Sequence, residues 1–336
     1  MPTKLLLGII VLAITFSISI TAGAEPIALR NVSDMIRDAD LIVVGRIVSV
    51  SNKGAETLNI AGSSVPVRRM IAEITVTSTL KGQSINSVWF AFFVSDLRAF
   101  RMVPAAQFAM FFLRQTGLQE YVVLNPYYPS IVALPNGPVN EGSELDKVVG
   151  QLVHVLRAPL ASQNERLDAI DALDTINTPN STAALQRTFH SQDLTLKLLA
   201  GAALLRRNET SPLNVVATTL LQDPTSVSES ILANLSFAIE TGVKDPRAIP
   251  ELSRLLSARE VRVRRAAAAG LRHTGAMDAI SALGQALKDS DHDVRYEAVI
   301  GLAEITGQYE WGPSIDLFRR EERHYIVHWQ EWVKQR

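Results

Sequence analysis

At 336 residues the chain has room for two ordinary domains, or for one domain and a repeat array. With 47% hydrophobic and 20% charged residues it can bury a core, and a formal net charge of −1 provides no single-signed field to gather nucleic acid, anionic lipid or acidic substrate. The absence of cysteine excludes disulfides, thiolate metal sites, a cysteine nucleophile and the lipidated cysteine of a bacterial lipoprotein.

Lys4 precedes an uncharged, mostly apolar run over residues 5–20, and Thr21-Ala22-Gly23-Ala24 stand before Glu25-Pro26. This is the layout of a secretory signal, so residues 1–24 are read as a signal peptide cleaved after Ala24 and the remainder as exported, periplasmic or extracellular. The alternative is an uncleaved N-terminal anchor, because the run nears the ~20 apolar residues of a membrane-spanning helix. No later stretch is long and apolar enough to span a bilayer, so no membrane contact beyond the signal segment is expected.

Residues 25–134 read as a β-rich domain. A short helical lead-in is capped by Ser33, which can accept a free backbone N–H from Met35 or Ile36. Strands are predicted over 41–50, 69–79, 88–94, 108–113 and 121–124, clearest where Met70, Ala72, Ile74 and Val76 alternate with Glu73, Thr75 and Thr77. Five short strands imply a small barrel or sandwich. The run from Ala39 to Ile47, the turn Thr79-Leu80-Lys81-Gly82 and the apolar run from Phe108 to Leu113, in that order, resemble exported bacterial OB-like domains. Some of those are similar to the netrin-like and metalloprotease-inhibitor barrel, although the cysteines of the eukaryotic inhibitors are missing here. Inhibition is therefore not carried over from the resemblance, and a secreted protease inhibitor acting through the β domain is kept only as an alternative function. Phe90, Phe92, Phe93, Phe100, Phe108, Phe111 and Phe112 have the character of a base-stacking platform. In an exported chain they are read as barrel core, and no nucleic-acid partner is expected.

Pro135-Asn136-Gly137-Pro138 open a linker over 135–143, after which Ala- and Leu-rich helical spacing runs from 144 to 336. Val263-Arg264, Ala267, Gly270 and Leu271 recur 31 residues on as Val294-Arg295, Ala298, Gly301 and Leu302. Ala248-Ile249, Leu252 and Leu256 recur at the same interval as Ala279-Ile280, Leu283 and Leu287, so each unit holds two helices. Fainter echoes run from Leu173 to Leu204, with an insertion near residues 223–228, and about five repeats are expected. The period, the small residues and the Val-Arg pair resemble the HEAT-like repeats first noted in phycobilisome lyases. The resemblance implies a right-handed superhelix whose concave face binds another protein. It also implies that Arg264 and Arg295 are ladder rungs bonded to carbonyls or acids of a neighbouring repeat. Trp311, Phe318, Tyr325, Trp329 and Trp332 would cap the last unit.

The fold class that follows is α+β multidomain, a small N-terminal β-barrel or sandwich followed by a C-terminal α-helical solenoid. Arg259, Arg262 and Arg265 are the candidate partner-binding residues, set in a locally basic region with Arg247, Arg254 and Arg272. Glu321, His324 and His328 share a helix face at metal-ligand spacing and form an alternative metal site, that of a metal-dependent periplasmic enzyme. Gly-x-Ser-x-Gly, His-Glu-x-x-His and Gly-x-x-x-x-Gly-Lys do not occur, nor does the His-Glu dipeptide of the HEAT-like hydroxylases. The expected protein is a non-enzymatic interaction scaffold with no cofactor, its partner another protein and its oligomeric state open.

Overall fold

Asn31 starts the first helix, α1 (Val32–Asp38), its side chain accepting the N–H of Asp34 at 3.1 Å. Ser33 therefore lies inside α1 rather than capping it; an amide oxygen two residues earlier satisfies the same kind of orphan donor. The computed structural model describes residues 31–60, 63–95, 108–117, 120–125, 128–138 and 142–335. The signal peptide read at 1–24, the start at Glu25 and Phe100 lie outside the described residues. The chain divides into two units, with the break at Asn136/Gly137.

The first unit is β1 (Leu41–Ile60), β2 (Ser63–Lys81), β3 (Ser87–Val94), β4 (Phe108–Gly117), β5 (Glu120–Val123) and β6 (Ile131–Val132). The strands follow the order β1-β2-β3-β5-β4-β6, and β1 also pairs with β4. That extra pairing, from Leu41 opposite Leu113 to Arg46 opposite Phe108, joins five strands into a closed ring. β3 and β5 run parallel and the other pairs antiparallel. β1 and β2 run well past the expected 41–50 and 69–79; over Ser51 to Thr57 the β1 side chains are exposed, while on β2 Val67 is buried. Apolar alternation marks only the part of a ribbon that faces a core.

Alternate side chains fill the ring. Val88, Phe90, Phe92 and Val94 of β3 meet Ala72 and Ile74 of β2, Leu41 and Val43 of β1, and Phe111 and Leu113 of β4. Phe93 faces away from this cluster, and Phe90 packs on Phe111 with ring centroids 5.1 Å apart. Lys81 Nζ donates to the carbonyls of Ile36 and Arg37 at 2.8 and 2.9 Å, tying the end of β2 to the C-terminus of α1.

The second unit is helical. α2 (Glu144–Arg157) and α3 (Gln163–Asp174) form the first pair, α4 (Pro179–Phe189) and α5 (Leu194–Arg206) the second, and α6 (Leu213–Gln222) and α7 (Glu229–Gly242) the third. α8 (Ile249–Leu255) with α9 (Val261–His273) and α10 (Ile280–Ala286) with α11 (His292–Thr306) follow, and α12 (Ile315–Lys334) closes the stack. The described residues thus hold five helix pairs and a final helix, and the α+β class stands. A short turn of 3-10 helix, Pro224–Ser226, occupies the insertion between α6 and α7.

Oxygen-bearing side chains start most of these helices: Ser143, Ser162 and Thr178 form capping boxes, and Asp193, Ser228, Asp291 and Ser314 accept first-turn N–H groups. The second helices pack in sequence, α3 on α5, α5 on α7, α7 on α9 and α9 on α11. One apolar core runs on from Leu198 in α5 to Trp329 in α12, as stacking of units that cannot bury a stripe alone requires. Small residues permit the closest approaches. A Cβ on Gly242 would meet Arg206 Cα at 2.5 Å and strike the carbonyl of Leu205, backbone that cannot swing aside. Replacing a helical glycine by alanine ordinarily favours the helix by up to about 1 kcal/mol. Gly242→Ala is expected to destabilise the unit instead, by about 1–3 kcal/mol of overpacking, measured as a lower urea midpoint.

Candidate interaction surface

The arginines of the basic region separate by what their guanidinium groups touch. Arg264, one turn into α9, donates from Nη1 to the carbonyls of Ala258 and Arg259 at 3.1 and 3.0 Å. From Nε and Nη2 it donates to both oxygens of Asp289, at 2.7 and 3.0 Å. Arg295 repeats the pattern in α11, with Nη1 on the carbonyls of Asp289 and Ser290 at 2.7 and 2.9 Å and Nε on Glu322 at 2.5 Å. Each Val-Arg pair thus links its helix to the loop before it and to an acid in the next unit. Both guanidiniums are about four-fifths or more buried, so these arginines are structural.

Arg259, Arg262 and Arg265 are placed differently. Arg259 lies in the turn before α9, exposed, and its guanidinium has no ion-pair partner among the described residues. Arg262 is paired with Glu229 of α7 at 2.8 Å, with 45% and 73% of the two side chains in solvent. Arg265 lies 3.6 Å from Glu240 of α7 and 4.0 Å from Asp293 of α11. Arg262 and Arg265 thus bridge α9 to its neighbours through solvent-exposed pairs, each worth on the order of 0.2–1 kcal/mol. Such a pair is exchanged for a ligand carboxylate at little cost in stability.

Sequence reasoning missed the apolar part of this surface. The buried stripe of α7 is Ile231, Leu232, Leu235, Ala238 and Ile239, and Phe237 falls off it, 52% exposed. Phe237 stands three residues before Glu240, hence on the same helix face, and Val261, 43% exposed, stands four before Arg265. The signal was present in the sequence as an aromatic outside the 3.6-residue apolar period.

Further along the same helices, Arg272 reaches Glu297 at 3.2 Å and Glu304 at 3.6 Å. Burial pushes the Glu297 carboxyl above the ordinary carboxylate range, against the opposing charge of Arg272. His273 Nδ1 lies 2.8 Å from the carbonyl of Glu240, joining α9 to α7.

Residues 225–303 match the family model for HEAT repeats. The matched stretch takes in α7 to α10 and most of α11, and so contains Arg259, Arg262 and Arg265 together with both structural arginines. No curated protein sequence matches the chain.

The alternative metal residues lie beyond this HEAT stretch, in α12, and are not brought together. The backbone at Glu321 leaves the helical region (φ −126°, ψ 27°), which breaks the one-face relation to His324 and His328 that an unkinked helix would give. His328 is stacked on Trp311, ring centroids 3.5 Å apart and planes 2° from parallel, and His324 lies 5.1 Å from the same ring. Among the described residues no three His, Cys, Asp or Glu side chains are grouped to hold a metal. Ser78 and Lys81, a Ser-x-x-Lys spacing, close β2, and the lysine donates to the α1 carbonyls.

Proposed function

We propose that the chain is an exported, non-enzymatic interaction scaffold whose HEAT-like helices take a protein partner on the surface of α7, α9 and α11. The observation that carries this reading is the combination of Arg259, Arg262 and Arg265, held only by exposed pairs or by none, with the exposed apolar side chains Phe237 and Val261. Charged groups that exchange partners at low cost, set around an aromatic anchor, suit an acidic protein segment with an apolar contact. HEAT repeats supply such surfaces by stacking helix pairs into an extended face. The leader-like residues 1–24 support export, and the described residues hold no helix long and apolar enough to cross a membrane. In the first unit, the ring β1-β2-β3-β5-β4 with parallel β3 and β5 supports an OB-like reading, a five-stranded Greek-key barrel. No nucleic-acid partner is proposed.

The test is a crosslinking pull-down with the full chain, intact and with Arg259, Arg262 and Arg265 all replaced by Glu. A partner recovered with the intact chain should bind the triple variant at least tenfold more weakly, because like charge now faces its acidic segment. Equal recovery by both, with the variant shown to be folded by circular dichroism, would place the interface elsewhere.

A further inference from the structure

The internal repeat makes one cavity legible. Arg166 is the fourth residue of α3, as Arg264 is of α9 and Arg295 of α11. Like them it donates to a carbonyl of the preceding turn, here from Nη2 to Ala158 at 2.9 Å. In the later rung the Nε edge of Arg264 is occupied by the carboxylate of Asp289, 25 residues on. Twenty-five residues beyond Arg166 stands Ser191, one atom too short and uncharged. The Nε of Arg166 is closed off from solvent and has no hydrogen-bond partner among the described residues.

Arg166 and Ser191 both line a cavity of about 200 Å³ between α2, α3, α4 and α5. Its polar lining is Arg157, Arg166, Arg187, Thr188 and Ser191, and no Asp or Glu lines it. None of the three arginines is paired with a carboxylate among the described residues, whereas Arg206, Arg254, Arg262, Arg264, Arg272 and Arg295 all are. Ser191 Oγ accepts the N–H of Asp193 at 3.1 Å, which leaves its own hydrogen to donate. Three arginines and a serine thus line one cavity, with no carboxylate among its described lining residues.

We propose that this cavity is a binding site for a doubly charged oxyanion of the phosphate or sulfate class. The anion would be held by the guanidinium groups of Arg157, Arg166 and Arg187 and by the Ser191 hydroxyl. It takes the position that an acid side chain fills in the later rung. Guanidinium forks bind such oxygens through paired, charge-assisted N–H donors, and a buried unpaired donor gains most from the ligand. The site is separate from the surface of α7, α9 and α11 and does not depend on the reading given to that surface.

The experiment is thermal unfolding and titration calorimetry of the full chain with inorganic phosphate, with phenyl phosphate, and with chloride at matched ionic strength. Phosphate is expected to bind saturably and to raise Tm by about 2–4 °C, while chloride does not. Binding of inorganic phosphate identifies a free ion, and binding of phenyl phosphate alone identifies an oxyanion carried on a larger molecule. No saturable response to either overturns the proposal. Arg187→Ala, at an exposed position, should weaken binding at least tenfold; an unchanged affinity would also overturn it. Ser191→Asp supplies the missing carboxylate, so it should raise the Tm of the unliganded chain by about 2 °C and abolish the response to phosphate. A lower Tm with the response intact would show that no anion position exists there.

Discussion

Trp329→Ala is expected to destabilise the helical unit by about 4 kcal/mol, the largest effect of any single truncation at its C-terminal end. The indole is fully buried, its Nε1–H donates to the carbonyl of Trp311 at 3.1 Å, and its ring meets Trp332 edge-on at 5.5 Å. Truncation therefore leaves a cavity and orphans a carbonyl together. In an array whose units contact only their neighbours, the loss enters at one interface. α12 packs on α10 and α11, and the core it completes includes Phe318 and Leu302. Amide hydrogen exchange should thus accelerate first in α10, α11 and α12 and least in α2 and α3. Urea unfolding reads the total, and a change below about 1 kcal/mol would mean that the aromatic cap contributes little to stability.

The aromatic cap was legible because Phe318, Tyr325, Trp329 and Trp332 fell on one stripe of a helix. The 31-residue recurrence of Val-Arg, Ala, Gly and Leu was equally plain, since every member of it is a packing residue: Gly270 and Gly301 would each place a Cβ 3.0 Å from a leucine of the helix beside them. What the sequence hid is what does not repeat. The helix α7 departs from its neighbours by carrying Leu232 at its fourth position, where α9 has Arg264, and by exposing Phe237. Ser191 is silent until the pairing of Arg264 with Asp289 shows which residue should stand there. The far half of the β1–β2 ribbon was unreadable for the opposite reason. Ser51 to Thr57 of β1 are exposed and show no apolar period, although backbone pairing such as Ala55 with Arg68 continues along them. The kink at Glu321 had no signal either, because neither glycine nor proline marks it.

The second large effect is expected at Arg264. Arg264→Met keeps most of the side-chain volume and removes the charge, leaving Asp289, whose side chain is 10% exposed, without its bidentate partner. Breaking a buried pair from one side costs about 3 kcal/mol near neutral pH. Burial pulls the Asp289 carboxyl up, but hydrogen bonds from Arg264 and from the N–H of Asp291, with the charges of Arg264 and Arg295, hold it below its ordinary value of 3.8. A depressed carboxyl contributes stability that is complete above its unfolded pKa and is lost as pH falls through the folded one. The deficit of the variant should therefore be full at pH 7 and narrow in acid, as pH falls through the unfolded value and on through the lower folded one, where Asp289 is protonated. A deficit that stays constant from pH 7 to pH 3 would mean that only the packing of the arginine stem was lost. Arg259→Ala, five residues earlier and exposed, is the contrasting case, with an expected change within about 0.5 kcal/mol at any pH. The difference between these two arginines is what leaves one of them available to a partner. Arg264 cannot turn outward without orphaning a buried carboxylate, whereas Arg259 is exposed and has no ion-pair partner to release among the described residues.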